Sequence, residues 1–175
     1  MMKTMMAILM MMAFAASAQA ESVLMKLPYG IELGKPLPEK VKRAADEKTE
    51  TNKNIIIYVL EGKFKVVTEK GEVTMFESSP GQRLSTKWRN LGLRICQGDS
   101  PGTSINDVMA IIKREGAKYI KRRTSKEGYY QSVMFEIGGK YSFDAAFALK
   151  KFGDCDADSG LWSIVVEGDA LNEDY

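Results

Sequence analysis

The chain has 175 residues with 25 Lys or Arg, 23 Asp or Glu and no histidine, and its formal net charge at pH 7 is +2. The lack of histidine excludes Ser-His-Asp and Cys-His catalytic machinery and histidine-based zinc sites, and two cysteines are too few for a zinc site built from cysteine alone. The near-neutral charge does not predict nucleic-acid binding.

Residues 1–20 have the pattern of a cleaved secretory signal peptide. Lys3 supplies the positive start, Met5 to Ala16 form an apolar run of twelve residues, and Ala18-Gln19-Ala20 places small residues where a signal peptidase needs them. The run is too short for a permanent membrane span, and no later apolar stretch approaches that length. We therefore predict a mature protein of 155 residues with net charge +1, in the periplasm or secreted.

Residues 21–79 are predicted to form a first helix-plus-meander half. A charged helix is predicted from near Pro38 to Lys48, because proline is tolerated in a first helical turn. The polar stretch from Thr49 to Asn54 is predicted to be a loop. A three-stranded meander should follow, at Ile55 to Leu60, Lys63 to Thr68 and Glu72 to Glu77.

A polar connector, residues 80–90, leads to a second half at residues 91–168. A helix is predicted after Ser104, which is a good N-cap with Asp107 in the capping-box position, and Gly116 should end it. Its apolar face comprises Ile105, Val108, Met109 and Ile112. Strands are predicted at Lys118 to Ser125, at Tyr129 to Ile137, from Tyr141 onward, and at Leu161 to Glu167 with Trp162, Ile164 and Val166 on one face. Ala145 to Phe152 either extends a strand or forms a short helix, and residues 169–175 are a frayed acidic tail.

The two halves predict an α+β fold of two helix-plus-antiparallel-meander units, the pattern that a tandem duplication produces. A Gly-apolar-x-apolar segment occurs in both Tyr29 to Leu33 and Leu91 to Ile95, and a capped helix follows the Gly/Ser loop from Gly98 to Gly102. In these features the chain resembles exported bacterial proteins of the β-lactamase-inhibitor-protein-like and small outer-membrane-assembly lipoprotein families. It departs from the lipoproteins in lacking a lipidation cysteine. The resemblance implies a protein-binding or inhibitory module, and no functional residue is carried over from it.

Cys96 and Cys155 are predicted to form a disulfide, because an exported chain enters an oxidising compartment. The bridge would close a loop of about sixty residues and stabilise the fold by about 4 kcal/mol in the loop-entropy model. Two separate thiols are the alternative, and a reactive one would need a neighbour that favours the thiolate.

A basic stretch after the second helix is the candidate site for an anion or a partner. It has seven cations against Glu115 and Glu127, and outside the cytoplasm it could meet lipid phosphates, anionic glycans or an acidic protein surface. The alternative is a solvated helix end and strand edge, where lysine discourages aggregation. Its members are Lys113, Arg114, Lys118, Lys121, Arg122, Arg123 and Lys126.

The end of the chain is acidic, with seven acids and no Lys or Arg from Phe152 onward. The alternating residues Asp154, Asp156 and Asp158 are similar to the ligands of a calcium loop. However, Gly160 comes one residue after the position of the turn glycine in such a loop. Val165 occupies the position where the loop needs a Glu that binds calcium through both carboxylate oxygens. A polar hairpin turn is the preferred interpretation, and neither a metal nor a cofactor is predicted.

We predict an exported binding or interaction protein, of the inhibitor, immunity or assembly-helper type, whose partner is another envelope or secreted protein. No active site can be assigned, and the aromatic residues Trp88, Trp162, Tyr129, Tyr130 and Tyr141 are interpreted mainly as core. The alternative is a carboxylate-based hydrolase acting on envelope glycans. Two facing carboxylates in a cleft would favour the hydrolase, whereas a surface with exposed aromatics would favour binding.

Overall fold

The computed structural model describes residues 22–52, 54–61, 64–78, 84–150, 155 and 159–168. The predicted signal peptide, the acidic tail at 169–175 and the calcium-like aspartates Asp154, Asp156 and Asp158 lie outside these residues. Within the described ranges, no helix is long and apolar enough to cross a membrane.

The described residues form eight strands, three α-helices and two 3₁₀ turns, Val23–Met25 and Pro28–Gly30. The helices are α1 (Glu39–Ala44), α2 (Thr86–Asn90) and α3 (Ile105–Arg114). The strands are β1 (Glu47–Asn52), β2 (Ile55–Leu60), β3 (Phe64–Glu69), β4 (Glu72–Ser78), β5 (Lys118–Thr124), β6 (Tyr130–Ile137), β7 (Tyr141–Ala148) and β8 (Leu161–Gly168).

All eight strands belong to one antiparallel sheet, in the order β1-β2-β3-β4-β8-β7-β6-β5. Strands β1 to β4 form one meander and strands β5 to β8 another, and the two meanders join where β4 pairs with β8. Strands β1 and β5 are therefore the two edges. The predicted α+β class is confirmed, with most of the regular structure in a single sheet.

One face of the sheet, which we call the core face, packs against the helices and the N-terminal segment. Aromatic rings from both meanders meet there around Trp88 of α2, whose ring centroid lies 6.2 Å from that of Phe76 and 5.7 Å from that of Phe143. The Trp88 indole also donates a hydrogen bond to the Leu24 carbonyl at 3.2 Å. Because Phe76 and Phe143 come from different meanders, the two halves share one core.

The structure corrects three predicted elements of the first half and the connector. The first helix ends at Ala44 instead of Lys48, and the segment predicted as a loop contains most of β1. Strand β1 is polar because it is an exposed edge, so its conformation depends on pairing with β2 and not on its own hydrophobic pattern. Helix α2 within the predicted connector was missed, since it has only five residues and buries only Trp88.

The helix predicted after Ser104 is confirmed as α3. The Ser104 hydroxyl accepts a hydrogen bond from the Asp107 backbone N–H at 3.2 Å and lies 2.7 Å from the Asp107 carboxylate. Val108 and Ile112 of α3 are fully buried against the core face. The undecided stretch from Ala145 continues β7 to Ala148, because β7 pairs with both β6 and β8 there.

A bulge in β8 reverses one predicted side-chain orientation. Ala146 pairs with Ser163 and Phe147 with Leu161, so Trp162 is an extra residue in the ladder. Leu161, Ile164 and Val166 are buried in the core, whereas Trp162 stacks on Tyr130 with ring centroids 5.9 Å apart. The prediction that Trp162 shares a face with Ile164 and Val166 is therefore wrong.

The predicted disulfide between Cys96 and Cys155 is confirmed. Their Cα atoms are 6.0 Å apart, the bridge spans 59 residues of sequence, and both side chains are buried. The Cys96 N–H also donates to the Leu161 carbonyl at 2.8 Å. The bridge thus fastens the segment that precedes α3 to Cys155, and the Cys96 hydrogen bond joins the same segment to the start of β8.

Candidate functional site

The structure distributes the predicted basic stretch over the end of α3, both sides of β5 and the turn that follows. Lys113 and Arg114 lie in the last turn of α3, where the Arg114 guanidinium donates a hydrogen bond to the Leu91 carbonyl at 3.4 Å. Arg122 of β5 pairs with the buried Val133 and lies 3.9 Å from the Met109 sulfur, on the helix side of the sheet. The remaining cations are Lys126 in the turn after β5 and three residues on the opposite side of β5, namely Lys118, Lys121 and Arg123.

The other side of the sheet, which we call the open face, lies outside the buried core cluster, and no described helix covers it. The strand register arranges its side chains in rows that cross all eight strands. One row contains Glu47, Val59, Lys65, Glu77, Val165, Asp144, Met134 and Lys121. The next contains Thr49, Ile57, Val67, Met75, Glu167, Ser142, Glu136 and Lys118. The open face is thus mixed in character, with charges between apolar side chains.

Asp144 lies between β6 and β8 on the open face and is largely buried by its neighbours. Burial raises the pKa of its carboxyl above the usual range, while a hydrogen bond from Ser132 and the positive charges of Arg123 and Lys121 act in the opposite direction. Its Oδ1 atom is buried and has no hydrogen-bond partner among the described residues. A partly satisfied carboxylate of this kind marks the open face as a place to look for function.

Four residues with apolar side chains lie near the corner of the sheet where β6 begins and β7 ends, and we call them the aromatic patch. Tyr130 stacks on Trp162 at 27° between ring planes, and the Leu149 N–H donates to the Tyr129 carbonyl at 2.8 Å. Tyr129, Tyr130 and Leu149 are 45%, 40% and 40% exposed, respectively. The patch consists of Tyr129, Tyr130, Leu149 and Trp162.

The position of the aromatic patch corrects part of the prediction that the aromatics are core. Trp88 is fully buried and Tyr141 packs against the core, as expected. Tyr129 and Tyr130 are exposed instead, because Tyr129 precedes β6 and the register places Tyr130 opposite Ala148 on the open face.

Cations and a fixed turn surround the aromatic patch. The Lys150 ammonium lies 5.2 Å from the centroid of the Tyr129 ring, within range of a cation–π contact. Arg123 pairs with Ser132, two residues from Tyr130, and so lies diagonally beside that ring. The Ser125 hydroxyl accepts hydrogen bonds from the Tyr129 and Tyr130 N–H groups at 2.9 and 3.3 Å. The two tyrosines are therefore presented from a turn whose backbone is held in place.

A separate cleft of about 530 Å³ lies between residues 26–32 and the start of α2. Glu32 and Glu61 both line it, and the Tyr29 hydroxyl donates a hydrogen bond to the Glu61 carboxylate. Burial and this hydrogen bond raise the pKa of the Tyr29 hydroxyl. Tyr29 and Glu61 both have positive φ, at 60° and 52°, which non-glycine residues adopt at a cost. Among the described residues, no group of three or more Cys, Asp or Glu is arranged to hold a metal ion.

Three features of these surfaces were missed from the sequence: the exposure of Tyr130, the orientation of Trp162 and the burial of Asp144. The alternation in β6 carried a usable signal, since it puts Tyr130 on the side opposite Val133 and Phe135. No comparable signal existed for Trp162, whose orientation depends on a bulge, or for Asp144, whose burial depends on two neighbouring strands.

Comparisons of the chain with models of known protein families, with curated proteins and with solved structures found no match. What defines this protein is therefore its architecture, an eight-stranded antiparallel sheet with one face packed and the other carrying charged rows and an aromatic patch.

Proposed function

We propose that this is an exported binding protein of the cell envelope, periplasmic or secreted, that uses the aromatic patch and the adjoining open face to bind another protein. The observation that carries the proposal is the exposure of Tyr130, whose ring stacks on Trp162, and of the preceding Tyr129. Tyrosine and tryptophan provide large contact area at low entropic cost and dominate interface hot spots. The signal-like N terminus and the buried disulfide support export.

The partner should present acidic groups around an apolar centre. Lys150 and Arg123 lie next to the aromatic patch, and Lys126 is in the adjacent turn. Such cations steer an acidic partner and favour it over a basic one, while the aromatic rings supply most of the affinity. This surface suits a role as an inhibitor, immunity factor or assembly helper, in line with the resemblance to exported inhibitory and assembly proteins.

We also propose that the two halves arose by tandem duplication. In support, a helix precedes each four-stranded meander, α1 before β1 and α3 before β5. The last strands of the two meanders, β4 and β8, pair antiparallel at the centre of the sheet, an arrangement that a local two-fold relation between the halves would give.

The experiment is site-specific photo-cross-linking of the native, exported protein. A photoreactive residue at position 129 should capture one envelope or secreted protein, and the same residue at the exposed position 87 on α2 serves as the matched control. With the captured partner purified, Tyr130→Ala should weaken binding by roughly thirtyfold, the loss typical of a hot-spot residue. Tyr119→Ala should leave the affinity unchanged. Equal capture at both positions, or unchanged affinity in Tyr130→Ala, would contradict the proposal.

The hydrolase alternative is favoured by one observation, the presence of Glu32 and Glu61 in the same cleft. Incubating the purified mature protein with envelope glycans and assaying new reducing ends separates the two functions. Binding alone predicts no release. Release that disappears in Glu61→Gln but persists in Tyr130→Ala would establish the hydrolase instead.

A further inference from the structure

The two edge strands of the sheet carry charges of opposite sign. Strand β5 has Lys118, Lys121, Arg122 and Arg123 and no acid, whereas β1 has Glu47 and Glu50 against Lys48. Glu47 and Lys118 are exposed and Lys121 is half-buried, and none of these three makes an ion pair within the described part of the chain. We propose that copies of this chain associate head to tail, with the β5 edge of one copy pairing with the β1 edge of the next.

The direction of the strands allows this pairing without any rearrangement. All eight strands alternate in direction, and the number is even, so β1 and β5 run antiparallel to each other. A second copy placed beside the first by a shift across the sheet, together with the rotation that the sheet twist requires, therefore brings its β1 against β5 in the antiparallel sense. The shift also keeps core face beside core face and open face beside open face, because it does not turn the molecule over.

The register then decides which side chains meet. The open-face row that begins at Glu47 ends at Lys121. When the row continues into a second copy, Lys121 of the first copy lies opposite Glu47 of the second. On the core face, the row that begins at Lys48 ends at Tyr119, whose ring is 48% exposed. The continued register thus pairs an acid with a base and an ammonium with an aromatic ring, and it brings no like charges directly opposite.

The same charges disfavour the competing contacts. Two β5 edges would bring lysines and arginines together, and two β1 edges would bring Glu47 and Glu50 together, which is destabilising in cross-strand positions. Charged side chains on edge strands commonly prevent edge-to-edge pairing altogether. Here the two edges carry opposite charges, so repulsion disfavours only the β1–β1 and β5–β5 contacts. Specificity here comes from the repulsive alternatives as much as from the attractive pair.

The contact should be weak and open-ended. Irregularities at Glu50/Asn52 in β1 and at Tyr119/Lys121 in β5 bend the edges and shorten the regular ladder, so the interface falls in the small, transient class. Because the two surfaces differ, each added copy leaves one free edge of each kind, and the assembly does not close as a dimer. The proposal is independent of the partner-binding function, since the aromatic patch is not part of either edge ladder.

Sedimentation of the mature, disulfide-bonded protein tests the proposal, from about 10 μM to about 1 mM protein. At about 20 mM salt the mean mass should rise with concentration without a plateau, and at about 500 mM salt it should fall toward the monomer. Lys121→Glu and Glu47→Lys should each lower the association constant by about five- to tenfold. An equimolar mixture of the two variants should restore it, because each variant supplies the edge that the other needs.

Two controls keep the result interpretable. Lys87→Glu makes the same charge change at an exposed position of α2 and should leave association unchanged. Tyr130→Ala in the aromatic patch should also leave association unchanged. The thermal unfolding of each variant verifies that it is folded, and Glu47→Lys is informative even if the half-buried Lys121 does not tolerate glutamate. A wild type that stays monomeric at low salt, a plateau at the dimer mass, or a mixture of variants that does not associate would each overturn the proposal.

Discussion

The two faces of the sheet are built from the same eight strands but differ in what their side chains do. The core face gathers rings from both meanders around Trp88, which is fully buried. The open face alternates charge and apolar area, with a 3.1 Å ion pair between Lys65 and Glu77 and with Asp144 only partly satisfied by hydrogen bonds. Each strand therefore contributes one set of alternate residues to the packed core and presents the other set on the open face.

Substitutions on the core face and on the open face should therefore change different properties of the protein. Core-face residues are surrounded by other apolar groups, so removing one leaves a cavity and lowers the free energy of unfolding. Most side chains of the two open-face rows are exposed or half-buried, so removing one changes the surface more than the fold. The two tryptophans, Trp88 and Trp162, allow the most direct test because one lies on each side.

The largest expected effect is the loss of stability in Trp88→Ala. The substitution removes ring contacts with Phe76 and Phe143 and the hydrogen bond to the Leu24 carbonyl, so we expect a loss of about 4–5 kcal/mol. Chemical denaturation monitored by far-UV circular dichroism measures it. Trp162→Ala is the matched control and should cost about 1–2 kcal/mol, mainly the stacking on Tyr130. Equal losses in the two variants would show that the open face is as tightly packed as the core face.

The second effect concerns the disulfide, which lies in the buried interior. Replacing both Cys96 and Cys155 with serine should lower the free energy of unfolding by about 4 kcal/mol, because the unfolded chain regains the freedom of a 59-residue loop. Reduction of the wild type under the same conditions should give a similar loss, and denaturation curves with and without reductant measure both. A stability unaffected by reduction would contradict this assignment of the bridge.

The sequence allowed the elements with their own hydrophobic pattern to be placed. The strand over Ile55 to Leu60 and the helix after Ser104 were found because their apolar spacing and caps are local properties. Strand β1 and helix α2 were not found, since one is polar and depends on its neighbour β2, and the other is five residues long. The pairing of the two meanders through β4 and β8 is a long-range property that no local pattern expresses.

The candidate site was less predictable than the fold. The basic stretch was located from composition, but strand alternation sends Arg122 to one side of β5 and Lys121 to the other, so the charge does not act as one patch. The exposure of Tyr129 and Tyr130 depends on what covers each face, and that is decided by the helices and the N-terminal segment. Sequence alone thus predicted a binding protein with a basic candidate site, and the structure distributes the residues of that site over the end of α3, both sides of β5 and the following turn.

The smallest effect expected is a change in how stability depends on pH when Asp144 is replaced. Burial raises the folded pKa of this carboxyl above its usual value of 3.8, so the folded state resists ionisation more than the unfolded state. The contribution of Asp144 to wild-type stability should therefore fall as pH rises through the unfolded and then the folded pKa, and stay constant above both. Asp144→Asn lacks this ionisation, so its stability relative to the wild type should increase over the same range.

Denaturation of wild type and Asp144→Asn at closely spaced pH values between about 3 and 7 measures this difference. Ser132→Ala sharpens the test, because the Ser132 hydrogen bond favours the charged carboxylate and its removal should raise the folded pKa further. The pH-dependent loss should then be larger in Ser132→Ala than in the wild type. A stability difference between wild type and Asp144→Asn that does not vary with pH would mean that solvent reaches the carboxylate freely, and the open face around Asp144 would then be an ordinary hydrated sheet surface.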